Sequence, residues 1–201
     1  MKSAVVYWSG TGNTEAMAQA VAEGMTAAGA EAVLLTPDQV QPGDLNTYGA
    51  IAFGCPAMGS EVLEEMEFQP MFDACKRSLG GKRVALFGSY GWGDGEWMRT
   101  WESDCDSAGV NLVCESVICT ETPDDAALEA CRALGKALVE GEMMHAADDC
   151  FSGSLRGLHL PNSLSEKAGT PLAVFLPCAV WRVLKKNMRK HPRQVNREAL
   201  C

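Results

Sequence analysis

The chain has 201 residues, 47% of them hydrophobic, with nine cysteines and a net charge of −9. That is enough apolar material for one domain with a full core plus an appendage, and too little in any one stretch for a membrane span: the longest apolar run, Leu172 to Trp181, is broken by Pro177. The charge is unevenly spread. Residues 1–141 carry 8 Lys and Arg against 21 Asp and Glu, a net of −13, while residues 142–201 carry 9 against 5, a net of +4. An acidic body repels nucleic acid and anionic lipid and attracts basic protein surfaces.

The N-terminus shows no apolar stretch before a small-residue cleavage site, so no signal peptide is expected. Ser3–Trp8 reads as a short buried strand. It runs into Ser9, Gly10, Thr11, Gly12, Asn13 and Thr14, after which Met17, Val21, Met25 and Ala28 recur at helix spacing. A strand, a Gly-rich turn and a helix form an anion site, because free N–H groups and the positive end of the helix dipole face the ligand. Ser9, Thr11, Asn13 and Thr14 add side-chain donors. A P-loop would need a Lys to reach the outer phosphates, and none is present. A dinucleotide fingerprint would need a third glycine where Glu15 stands. The loop therefore suits a single terminal phosphate monoester, held by neutral donors without a metal.

Further strands are expected at Glu31–Thr36, Ala50–Gly54, Arg83–Gly88 and Val110–Cys119. Met66, Phe68, Met71 and Phe72 read as core and helix packing, and Trp97, Trp101, Cys105 and Ala108 as one face of a helix. The final helix has Thr122 as its expected N-cap, Pro123 in its first turn, then Asp124 and Asp125 against the dipole. Leu128, Cys131, Leu134 and Leu138 carry its apolar face, and Gly141 closes it. Strands alternating with helices imply an α/β doubly wound sheet, whose ligand lies at the carboxyl ends of the strands. Two loops at those ends are "CPAMGSEVLEE" and "SYGWGDGEWM". The first offers Met58 and a flexible Gly59, the second Trp92 between Gly91 and Gly93. A thioether opposite an indole makes a slot for a flat ring. One phosphate plus one flat heterocycle points to a mononucleotide such as FMN.

No second chemistry is visible. The cysteines form no C-x-x-C pair and read as small buried hydrophobes in a reducing compartment rather than as a metal or disulfide framework. Cys55 reads as a packing residue rather than a redox thiol. His145, His159 and His191 all fall after Gly141, without ligand spacing, and no metal site is expected.

Three segments, "VYWSGTGNTEAMA", "FGCPAMGSEVLEE" and "LFGSYGWGDGEWM", resemble the flavodoxins, most closely the clostridial type, in the same order and spacing. The resemblance covers residues 1–141 as an FMN-binding domain and leaves 142–201 as a C-terminal extension. With no long insertion in the last strand, it implies the short-chain form: a five-stranded parallel sheet in the order 2-1-3-4-5, helices on both faces. It also implies that Ser9, Gly10, Thr11, Gly12, Asn13 and Thr14 wrap the FMN phosphate and that Met58 and Trp92 sandwich the isoalloxazine. Glu61 would accept from flavin N3–H, and backbone N–H groups of Gly91 to Gly93 would bind the pyrimidine end. Gly59 would carry a redox-sensitive peptide, while Pro56, Ala57, Ser89, Tyr90 and Asp94 would complete the two flavin loops. Ser60 departs from the Asp or Asn that relatives often carry.

By the same resemblance the protein is no enzyme but a cytoplasmic, monomeric, low-potential one-electron carrier, its FMN cycling between semiquinone and hydroquinone. Its expected partners are redox proteins with basic docking surfaces. The alternative is an FMN-dependent NAD(P)H:quinone reductase on a related fold. The loops hold no Lys, Arg or His, while Glu61, Glu64, Glu65, Asp94 and Glu96 lie close in sequence, which disfavours negative charge on the reduced ring. For the extension, a basic amphipathic segment near 172–190 touching a membrane is the lesser reading beside a loosely ordered tail.

Overall fold

The computed structural model describes residues 1–141. The expectations for the three histidines, the 172–190 segment and the rest of the extension lie outside the described residues. Six strands, β1 (Lys2–Tyr7), β2 (Glu31–Leu35), β3 (Ala50–Gly54), β4 (Arg83–Tyr90), β5 (Asn111–Leu112) and β6 (Val117–Thr120), build one parallel sheet. Its order is β2-β1-β3-β4-β5, with β6 also on β4. The predicted order 2-1-3-4-5 therefore holds. The predicted single strand Val110–Cys119 does not: it divides into β5 and β6, both paired to β4. Between them the polar Glu115–Ser116 step leaves the ladder, and Ser116 Oγ donates to Glu102 Oε1 at 2.7 Å.

Four helices, α1 (Asn13–Ala27), α2 (Phe68–Cys75), α3 (Glu96–Ser107) and α4 (Asp125–Glu140), cover the two faces. Side chains alternate across each strand, so the sheet has two cores. Ala4, Val6, Ile51, Phe53, Val84 and Leu86 point to α2 and α3. Val5, Ala50, Ala52, Ala85 and Phe87 point to α1 and α4. The expected start of α4 moves by two residues. Asp124, not Thr122, is the N-cap: its backbone is extended and its Oδ1 accepts Ala127 N–H at 2.8 Å. Pro123 accordingly precedes the helix. Met66 also departs from expectation. Phe68, Met71 and Phe72 are buried, but Met66 lies ahead of α2 and is 84% exposed. Among the described residues, no helix is long and apolar enough to cross a membrane.

The chain reverses direction across the sheet between β1 and β3. The loops after β1, β3 and β4 therefore meet at one edge, at the switch point where open α/β sheets bind ligands.

Candidate functional site

The loop after β1 is shaped by its glycines. Gly12 takes φ +89° as the N-cap of α1, a conformation that disfavours a side chain. Its N–H donates to Ser9 Oγ at 3.0 Å, and Ala16 N–H to Gly12 O at 3.0 Å is the first helical bond. The backbone N–H groups of Gly10, Thr11, Asn13 and Thr14 have no acceptor among the described residues. Unpaired donors at a helix start, with no acceptor for the Ser9 hydroxyl proton among the described residues, fit a phosphate group. Deeper in, the buried hydroxyls of Thr14 and Ser89 lie 3.1 Å apart and join α1 to the end of β4.

The loop after β3 is a small hairpin. Met58 and Val62 exchange N–H···O bonds of 2.8 and 3.0 Å, leaving Gly59, Ser60 and Glu61 at the tip. Gly59 and Glu61 both sit at positive φ, +45° and +53°. No atom lies near the position a Gly59 Cβ would take, so a side chain there is opposed by backbone conformation and not by collision. The base of the loop is anchored. Ala57 N–H bonds Ser89 O at 2.9 Å, and Glu64 N–H reaches Cys55 Sγ at 3.3 Å. Pro56, between these anchors, is half-buried. The buried Glu64 carboxylate accepts the N–H groups of Met66, Glu67 and Phe68 at 2.8–2.9 Å. Burial alone would raise its pKa, but those three bonds outweigh it and hold the carboxyl below its ordinary value. Burial pushes the Cys55 thiol up to about 12, which keeps it protonated and fits its reading as packing.

The third loop follows β4, which is longer than expected. Ser89 and Tyr90, predicted in the loop, are its last residues and pair with Cys119 and Thr120. Gly91, Trp92, Gly93 and Asp94 then turn into α3. Gly93 sits at φ +95° against the hairpin tip, where a Cβ would come within 2.4 Å of Glu61 Cδ. Glu61 Oε1 accepts the N–H groups of Gly95 and Glu96 at 2.9 and 3.0 Å, so this carboxylate caps α3 and ties the two loops together. Trp92 is 65% exposed and Met58 36%. An indole left so far in water is unusual for the largest apolar side chain, and a flat ring stacked on it would remove that exposure.

The site is acidic. One carboxylate oxygen each from Glu61, Asp94 and Glu96 lie within 4.8 Å of one another. Sequence reasoning missed the cation beside them. Arg99, on the first turns of α3, bonds Asp94 through its carboxylate at 2.8 Å and its carbonyl at 2.7 Å. The bond to Asp94 raises the guanidinium pKa further. The five-residue spacing to Asp94 was the available signal. Trp8 and Glu67, whose side chains meet at 3.0 Å, were also missed.

The flavodoxin family model matches residues 5–135. The flavodoxin of Clostridium beijerinckii is 42% identical over 134 residues, covering 67% of this chain and 96% of that protein. The flavodoxin of Megasphaera elsdenii is 43% identical over 133 residues, covering 66% and 95%. The solution structure of two-electron reduced Megasphaera elsdenii flavodoxin superposes with a TM-score of 0.63, covering 68% of this chain and 98% of that one. The chain belongs to the flavodoxin family of FMN-bound electron carriers.

Proposed function

We propose that residues 1–141 bind one FMN and serve as a low-potential, one-electron carrier between redox proteins. One observation carries this reading: the N–H donors of Gly10, Thr11, Asn13 and Thr14, without acceptors among the described residues, share an edge of the sheet with an exposed indole, Trp92. Ser9, Gly10, Thr11, Gly12, Asn13 and Thr14 hold the phosphate. Met58 and Trp92 take the two faces of the ring. FMN supplies the one-electron chemistry when bound. The chain's residues bind it, orient it and set its potential.

Glu61 spends Oε1 on α3 and keeps Oε2 for the imide N–H of the ring. Gly59, at the tip of a hairpin whose ends are fixed, is where the backbone has freedom to turn a carbonyl toward or away from the ring. The acidic cluster disfavours negative charge on a bound ring, and Arg99 offsets only part of it. The same acidity suits partners with basic docking surfaces. We read the carrier as cytoplasmic and monomeric, with residues 142–201 as an extension that the cofactor site does not need. The quinone reductase alternative draws support from none of these features.

The test is chemical. Protein purified with its cofactor and then denatured should release FMN in an amount equal to the chain. Release of FAD, or failure of the apoprotein to take up FMN, contradicts the reading.

A further inference from the structure

The phosphate loop and the hairpin after β3 are joined by a strap of side chains lying outside both. Trp8 is the last residue before the phosphate loop, and its backbone N–H bonds Gly54 O at 3.0 Å. Its indole has two fixed ends. Nε1–H donates to Glu67 Oε2 at 3.0 Å. The benzo edge lies against Gly10, where a Cβ would come within 3.0 Å of Cη2 and 3.2 Å of Cζ3. Glu67 is itself anchored. Its N–H donates to Glu64 Oε2 at 2.8 Å, and the Glu64 N–H reaches Cys55 Sγ. A continuous path therefore runs from Gly10, through a rigid ring and a charge-assisted hydrogen bond, to the base of the 58–62 hairpin.

We propose that Trp8 and Glu67 are positioning residues that set the height of the Gly10 backbone in the phosphate loop, and so govern FMN affinity from outside the binding loop. The proposal rests on the FMN reading above. An anion held by several N–H groups needs them to converge, and small displacements of one donor lose affinity. Gly10 has no side chain to hold it, so the surface beneath it decides where its N–H points. That surface is the indole, and its tilt is set by Glu67. Because the Trp8–Glu67 bond is exposed to water, its value is geometric more than energetic.

The Glu67 side chain bears on the phosphate loop, while the hairpin end of the strap is held by the Glu67 and Glu64 N–H groups and stays in place when that side chain is changed, which separates the strap from a general packing role. Riboflavin, which lacks the phosphate, serves as the internal control. Apoprotein would be titrated with FMN and with riboflavin, following quenching of flavin fluorescence, for the wild type, Trp8→Phe, Glu67→Ala, Glu67→Gln and the Trp8→Phe/Glu67→Ala double variant. The expected result is an FMN affinity about fivefold weaker in Glu67→Ala, from loss of the Trp8–Glu67 hydrogen bond, and at least as weak in Trp8→Phe, which also removes the benzo edge under Gly10. Riboflavin affinity should stay unchanged, the double variant should be no worse than Trp8→Phe alone, and Glu67→Gln, which keeps an acceptor, should bind FMN as the wild type does. Equal losses for both flavins, additive losses in the double variant, or full FMN affinity in Glu67→Ala would overturn the strap. Glu67 is exposed, so its variants decide the matter even if Trp8→Phe folds poorly. Wild-type apoprotein that binds neither flavin would instead overturn the FMN reading itself.

Discussion

The two faces of the sheet are packed on opposite terms. Toward α2 and α3 the space is filled by large rings. Phe72 meets Phe53 edge-on at 5.2 Å and Trp101 edge-on at 5.4 Å, and Phe68 meets Trp101 at 5.4 Å. Toward α1 and α4 the strands present Ala50, Ala52 and Ala85 beside Val5 and a single ring, Phe87, and the helices approach each other at glycines. A Cβ on Gly24 would lie 2.0 Å from Arg132 O, and one on Gly135 would lie 2.1 Å from Val21 O. One face depends on the volume it contains and the other on the volume it lacks. The difference matches what each face carries. The glycine-locked face holds α1, whose N-terminus presents the loop proposed to hold the phosphate. The aromatic face holds α2 and α3, which follow the two loops proposed to bind the ring.

The contrast makes opposite substitutions costly. Phe72→Ala should destabilise the fold by about 4 kcal/mol, because it removes a fully buried ring and leaves a cavity. Gly135→Ala should also destabilise, by about 2 kcal/mol. An exposed helical Gly→Ala change gains about 1 kcal/mol, but here collision with a backbone carbonyl outweighs it. Urea unfolding of the apoprotein reads both. A Gly135→Ala variant more stable than the wild type would show that α1 and α4 can separate, and the comparison would fail.

The next effect lies at the site. Trp92→Ala should weaken FMN binding about tenfold through lost stacking, with unfolding unchanged because the indole is exposed. A fall in stability with equal FMN affinity would place Trp92 in the scaffold instead. Smaller still is the Glu64 contribution. Its carboxyl is held below the ordinary 4.5, so the stability it adds is full above that value and is lost as pH falls through the lowered pKa. Glu64→Gln should therefore be less stable than the wild type by about 1 kcal/mol at pH 7, with the gap closing in acid. A gap that persists unchanged to low pH would show that the charge of Glu64 is not what holds α2.

Much of this was legible because its determinants are local. The loop proposed for the phosphate is six consecutive residues, and the buried strands announce themselves as apolar runs. The order of the sheet followed from the family resemblance. What escaped the sequence depends on distance or on choices between equals. Gly24 and Gly135 look like poor helix residues until the two helices are brought together. Trp8 and Glu67 meet only in the fold. Thr122 and Asp124 are both good caps, and only the extended backbone at Asp124 decides between them. Met66 fits an apolar cluster by spacing, yet α2 begins two residues later and the helical period does not reach it. Ser89 and Tyr90 read as loop, but pairing with β6 carries the ladder through them.

The central claim is that this scaffold holds FMN so that electrons pass singly. An anaerobic potentiometric titration of the purified holoprotein, followed by its visible spectrum, tests it most directly. The account predicts two resolved one-electron steps, the second at a markedly lower potential than the first. A single two-electron wave would contradict it and favour two-electron reductase chemistry on the same fold.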